Sequence, residues 1–226
     1  MSEQVLARRT TVSVTFNGAD ITQDIKPYFS SLTYTDDVDD MADDLKLTVQ
    51  DRDGVWMTTW LVEAVDAAAG GKLSISAVIT PEHWKMRGKL KTGMFELDSV
   101  DVSGPPSTVT INATSLAFSS SLRQTQRSRA WENYKLSGIA AEIASSGGMM
   151  CLYESSSDPT YDRVEQTKQS DIDFLKKLCQ DAGISIKATD GKIVLFDQAA
   201  YEAKAPVRTI EKGEKGGYTK YKLSSG

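Results

Sequence analysis

Residues 169–197 read QSDIDFLKKLCQDAGISIKATDGKIVLFD, and two periodicities inside them decide what kind of unit this chain builds. Ser170 precedes the first periodic apolar residue. Asp173, three positions on, completes a box-like pair over the first exposed N–H groups of a helix. Ile172, Leu175, Leu178, Cys179 and Ala182 recur at helical spacing and leave Asp173, Lys176, Lys177 and Gln180 outside the stripe. Gly183 stands where a left-handed residue ends a helix. Ile184 and Ile186 then alternate with polar neighbours, and Asp190-Gly191 is a two-residue hairpin signal before Lys192 to Phe196. The spacing predicts a capped helix and a two-stranded hairpin. Neither buries its apolar face alone, so each needs the other and a further surface.

Upstream, alternation with period two dominates. Val12, Val14 and Phe16 share a face before the Asn17-Gly18 turn, and Ile21 and Ile25 follow it. Further strands are expected at Phe29–Thr35, at Leu45, Leu47 and Val49, and at Leu73, Ile75, Ala77 and Ile79. Two more carry Phe95, Leu97, Val100 and Val102, then Val109, Ile111 and Ala113. Six short strands between Gly, Pro, Asn and Asp turns predict an antiparallel sandwich or barrel with one dry and one wet face.

Ser119 to Asn133 breaks the pattern and reads as a basic connector with Arg123, Arg127 and Arg129. Leu136, Ile139, Ala140 and Ile143 predict an amphipathic helix ended by Ser145-Ser146-Gly147-Gly148, and Met149 to Tyr153 a short strand. Val207–Ile210 and Tyr218–Leu223 are expected as strands around a charged, glycine-rich loop. The expected class is α+β, mainly β. Residues 8–117 form an antiparallel β-barrel, 118–134 the connector, 135–198 a small α+β domain, and 199–226 a return segment, the start of a second barrel.

At 226 residues the chain accommodates one or two domains with real cores. No run approaches eighteen apolar residues, and the first ten residues lack the apolar region of a secretory signal. A formal charge of -5 argues against bulk nucleic-acid binding. The single histidine, His83, beside Trp84 after Pro81, removes most zinc and histidine-based chemistry. Cys179 falls on the helical stripe and reads as a small core hydrophobe; Cys151 is the other thiol.

The densest chemistry is acidic. Asp36, Asp37, Asp39, Asp40, Asp43 and Asp44 crowd TDDVDDMADD, which lacks the glycine and glutamate of a calcium loop. A solvated loop, or an interface loop facing Arg123, Arg127 and Arg129 of a neighbouring subunit, fits it better than a metal site; complementary charge of this kind sets register and encounter rate. Asp51-Arg52-Asp53-Gly54 reads as a turn, and Trp56 and Trp60 as a lid on the barrel core. No nucleophile elbow, zinc helix motif or phosphate loop is present, so no catalytic, cofactor or metal residue is assigned.

Four blocks in order carry a family resemblance. They are VSVTFNGADIT (Val12–Thr22), SLTYTD (Ser31–Asp36), ADDLKLTVQD (Ala42–Asp51), and the run from Gln166 or Gln169 through Ser170, Asp171, Phe174, Leu175, Leu178 and Gly183 to the I-x-L-F-D strand. Together they resemble the baseplate hub proteins of contractile phage tails, the late control gene D family, related to the hub part of type VI secretion spike proteins. The resemblance implies a structural role without turnover: a homotrimer whose barrels form a ring joining the tail tube to the central spike, beside other baseplate proteins. It implies a location in a virion tail or tail-like particle assembled in the bacterial host cytoplasm, with no nucleic-acid specificity and no membrane insertion. It also implies that residues 135–198 are a LysM-like spacer. A different class, a peptidoglycan-binding or cell-wall-degrading module, would use Tyr153, Tyr161, Phe174 and Phe196. A toxin-delivery adaptor on the same fold is a third reading.

Overall fold

Asn17 and Gly18 both take positive φ, 47° and 82°, and turn β1 (Arg9–Phe16) into the two-residue β2 (Ala19–Asp20). That tight turn is the hairpin geometry the Asn-Gly pair prefers. The computed structural model describes residues 7–37, 42–56, 58, 73–83, 88–115 and 121–206. The expected strands at 207–210 and 218–223, and Asp39, Asp40, Trp60 and Trp84, lie outside them.

After β2 come the one-turn helix α1 (Thr22–Ile25), β3 (Phe29–Thr35), β4 (Asp44–Gln50), β5 (Ser74–Glu82), β6 (Leu90–Ser103) and β7 (Thr108–Thr114). They build a seven-stranded sheet in the order β2-β1-β5-β6-β7-β4-β3, antiparallel at every pairing. Its dry face is what alternation predicted: Val14, Leu45, Leu47, Ile75, Phe95 and Ile111 are buried in one cluster that also takes in Trp56 of the lid.

The barrel, however, is not closed. β1 and β3 are not paired with each other. Thr10 and Val12 of β1, Thr22 and Ile25 of α1, and Phe29 of β3 line one cavity of about 320 Å3. The buried side chain of Ile25 fills the core there, so a helix stands where a closing ladder would run.

The second part of the chain comprises α2 (Ser121–Gln124), β8 (Gln126–Lys135), α3 (Leu136–Ser146), β9 (Met150–Glu154), β10 (Thr160–Ser170), α4 (Asp171–Asp181), β11 (Ser185–Thr189), β12 (Lys192–Phe196) and α5 (Gln198–Glu202). β8 and β10 form an antiparallel ribbon; β11, β12 and β9 form a three-stranded sheet in which β12 and β9 run parallel. Leu136, Ile139 and Ile143 of α3 meet Leu175, Leu178 and Cys179 of α4 in a separate core.

The predicted punctuation of the opening stretch is present. Ser170 Oγ accepts from the Asp173 N–H at 3.1 Å and donates to Asp173 Oδ2 at 2.6 Å, while Gly183, Asp190 and Gly191 all have positive φ.

Residues 126–135 correct the connector reading. They are a ten-residue strand, because the positions turned inward are Arg127, Arg129 and Trp131, and two arginines on the hidden face mask the apolar alternation. Its partner strand β10 carries a bulge between Gln166 and Gln169, with Lys168 at φ 48°.

Candidate functional site

Two charged clusters organise the molecule, and they divide the residues that the sequence placed in one expected interface. The first lies where the hairpin β11–β12 meets the seven-stranded sheet. Lys187 reaches from β11 and pairs with Asp36, donates to the Asp37 carbonyl at 3.0 Å, and brings Nζ to 2.8 Å from Asp43 Oδ1. That last contact pairs the charges, although its angle is poor for a hydrogen bond.

Asp43 is 1% exposed. An isolated buried carboxylate would be costly, so Lys187, whose side chain is only 13% exposed, is its needed counter-charge. Hydrogen bonding from Lys187 holds the Asp36 carboxyl below its ordinary value. Burial opposes the charge on Lys187, and its contacts with the Asp36 and Asp43 carboxylates outweigh it, raising the amine.

The same seam is tied by neutral groups. Ser115 Oγ donates to the Ala188 carbonyl at 2.6 Å and accepts from the Asp43 N–H at 2.8 Å; Ala42 pairs with Ala188 as a parallel bridge.

The second cluster sits inside the smaller unit. Asp171, the first residue of α4, is fully buried. Its Oδ1 accepts from Arg129 Nη2 at 3.2 Å and from Gln166 Nε2 at 2.9 Å, and Arg127 Nε lies 3.5 Å from Oδ2. A carboxylate at a helix N-terminus also meets the positive end of the helix dipole. Arg129 donates further to Gln166 Oε1 and Glu142 Oε1, and its guanidinium lies 4.3 Å from the centre of the Trp131 ring. Trp131 stacks on Phe174 at 5.0 Å and donates from Nε1 to Glu142 Oε2.

Within the chain, therefore, Arg127 and Arg129 are turned to Asp171 and Glu142, and Asp36 and Asp43 of the acidic run to Lys187. Arg123, Asp37 and Asp44 are exposed. The sequence left the family motif ambiguous between Gln166 and Gln169. Gln166 is the buried member, because the β10 bulge turns its amide toward Asp171 and the Gln169 carbonyl. Lys187 was not singled out by the sequence, because it lies out of phase with Ile184, Ile186 and Ala188 and so reads as a solvated lysine.

The remaining candidates are structural. Asp51 Oδ1 accepts from the Trp56 N–H at 3.0 Å, and Tyr28 donates to Asp53 Oδ2 and meets Trp56 edge-on. His83 is exposed. Burial pushes the Cys179 thiol up to about 12 and raises Cys151, so neither is a ready nucleophile. Among the described residues no group of His, Cys, Asp and Glu is arranged to hold a metal, and no helix is long and apolar enough to cross a membrane.

A further geometric feature concerns the sheet edge. β3, FSSLTYT, carries no charge and no proline, and among the described residues it pairs only with β4. Natural sheets usually blunt such an edge or cover it.

Residues 116–220 match the family model described as phage tail baseplate hub (GPD). The probable baseplate hub protein of Escherichia phage 186 is 24% identical over 192 residues, covering 81% of this chain and 44% of that protein. That of Escherichia phage P2 is 27% identical over 182 residues, covering 78% and 42%. The chain thus spans less than half the length of the curated relatives it matches. The tail protein of Neisseria meningitidis MC58 shares the fold with a TM-score of 0.60 at 11% identity, over 92% of this chain and 56% of that one. Sequence match and fold together show what the four blocks led us to expect, a chain similar to the phage tail baseplate hub proteins.

Proposed function

We propose that the chain is a structural subunit of a baseplate hub, assembled as a homotrimeric ring that adapts the tail tube to the central spike of a contractile tail or tail-like particle. Likeness to hub proteins over most of the chain supports the class. The uncharged edge of β3 is the observation that carries the ring. A seven-residue strand with no charge and no proline, paired among the described residues only with β4, has an edge open to a neighbour, and a rotationally repeated copy supplies one. The work is mechanical, by fit and without turnover.

In this reading the sheet unit, residues 8–117, forms the ring, and the unit to residue 198 is a LysM-like spacer. Burial of Leu122 in the smaller core supports counting α2 with that unit. Assembly takes place in the host cytoplasm, on the tube and spike. Asp37 and Asp44 with Arg123 are the outward-facing members of the expected subunit interface. Light scattering of the chain mixed with its tube and spike proteins tests the reading. A trimer mass is expected, lost in Thr33→Lys, which places a charge on the exposed face of the edge strand, and reduced in Arg123→Glu. A chain that stays monomeric with both partners present overturns it.

A further inference from the structure

We propose that Lys187 is a clasp that sets the angle between the seven-stranded sheet and the helix–hairpin unit, and that releasing it lets the smaller unit swing as an intact body. Little apolar surface holds the two parts together. Their hydrophobic cores are separate clusters, and Ala42 is the one described apolar residue of the sheet unit that packs against the smaller core. An interface with so little apolar burial leaves relative motion as the default.

What opposes that motion among the described residues is polar and local, and it converges on the hairpin turn at Lys187, Ala188 and Asp190. The Lys187 ammonium joins three separate groups of the sheet unit: the Asp36 carboxylate, the Asp37 carbonyl and the Asp43 carboxylate. Ser115 and Ala42 hold only the backbone of Ala188, and the Asp190 side chain lies against Gly93 across the same seam.

Those contacts lie along one short turn, and a single line of contacts permits rotation about itself. The lysine adds an anchor displaced from that line along its side chain, which sets the angle. Asp43 makes the clasp specific: its buried carboxylate is compensated only while Lys187 stays in place. Lys187 acts here as a positioning residue for the whole smaller unit. The inference rests on the seam alone and stands whether or not the hub reading does.

Residual dipolar couplings on the full chain test it, fitted separately for residues 73–115 and 126–197. In the unaltered protein one alignment tensor fits both sets. The double variant K187M/D43N removes both charges without stranding a buried carboxylate. It is expected to lose the shared tensor while each set still fits its own, and K187R is expected to keep it. A single tensor in K187M/D43N overturns the proposal. Should that variant fail to fold, D36N/D43N decides instead. It removes both carboxylates that hold the ammonium and leaves the Ser115 and Ala42 contacts in place, and two tensors support the clasp whereas one tensor overturns it.

Discussion

The seven-stranded sheet and the smaller unit face the same problem, hiding one face of short strands, and meet it with different side chains. The sheet hides hydrocarbon: Val14, Leu47, Ile75, Phe95, Val109 and Ile111 are all buried on one face. The β8–β10 ribbon hides Arg127, Arg129 and Gln166 around the fully buried Asp171, and only then Trp131 and Phe174. A hydrocarbon core fails gradually, because neighbours relax into a lost volume. A buried ionic one fails abruptly, since removing one partner leaves the others charged and desolvated. The comparison also says where a reading based on period two works, which is wherever the hidden positions are apolar.

Asp171→Ala is the sharpest way to break that contrast. It leaves Arg127 and Arg129 facing an empty site, and the expected loss is about 3–5 kcal/mol in urea unfolding. Amide protection should fall in α4 and β10 first; a loss spread evenly into the sheet would mean the two units are one cooperative body. Leu47→Ala is the sheet's counterpart, with a cost of about 3 kcal/mol and lost protection in β4 and β7.

Gly147→Ala probes the join of α2 to the smaller core. A Cβ there would lie 2.4 Å from Leu122 Cδ1, so the buried leucine must move, at a cost of about 1–3 kcal/mol in the same assay. Ser170→Ala removes the side-chain cap of α4 and is expected to lower stability by about 1 kcal/mol, read as a shift in the urea midpoint.

The smallest expected effect is that of pH on the seam. Asp36 is lowered from 3.8, so its contribution is present above that value and lost as pH falls through the folded one. Lys187 is raised from 10.5, so its contribution is present below that value and lost as pH rises through the folded one. An NMR titration of the Ala188 amide should therefore show a plateau between 3.8 and 10.5, with transitions only outside that window.

Much of the fold was legible before the structure. β3 spans Phe29–Thr35 as alternation placed it, α4 starts at the Ser170 cap, and the Asp190-Gly191 turn joins β11 to β12. These features are written in neighbouring residues, through capping, positive φ and period. β8 was not legible, because arginine at an inward position looks identical in sequence to arginine in solvent. β10 was hidden by a bulge that shifts its register after Gln166. The closed barrel was expected from the same strands that in fact leave an edge open, since strand count alone does not say whether the first and last strands meet.

The sequence by itself determined most of the local elements, the dry face of the sheet, the absence of familiar catalytic motifs and the resemblance to tail hubs. Only the tertiary structure decided which charge meets which. Arg129 finds Asp171 from 42 positions away and Lys187 finds Asp36 from 151. Periodicity and propensity act over a few residues, whereas an ion pair forms wherever folding brings opposite charges within a few ångströms and out of water.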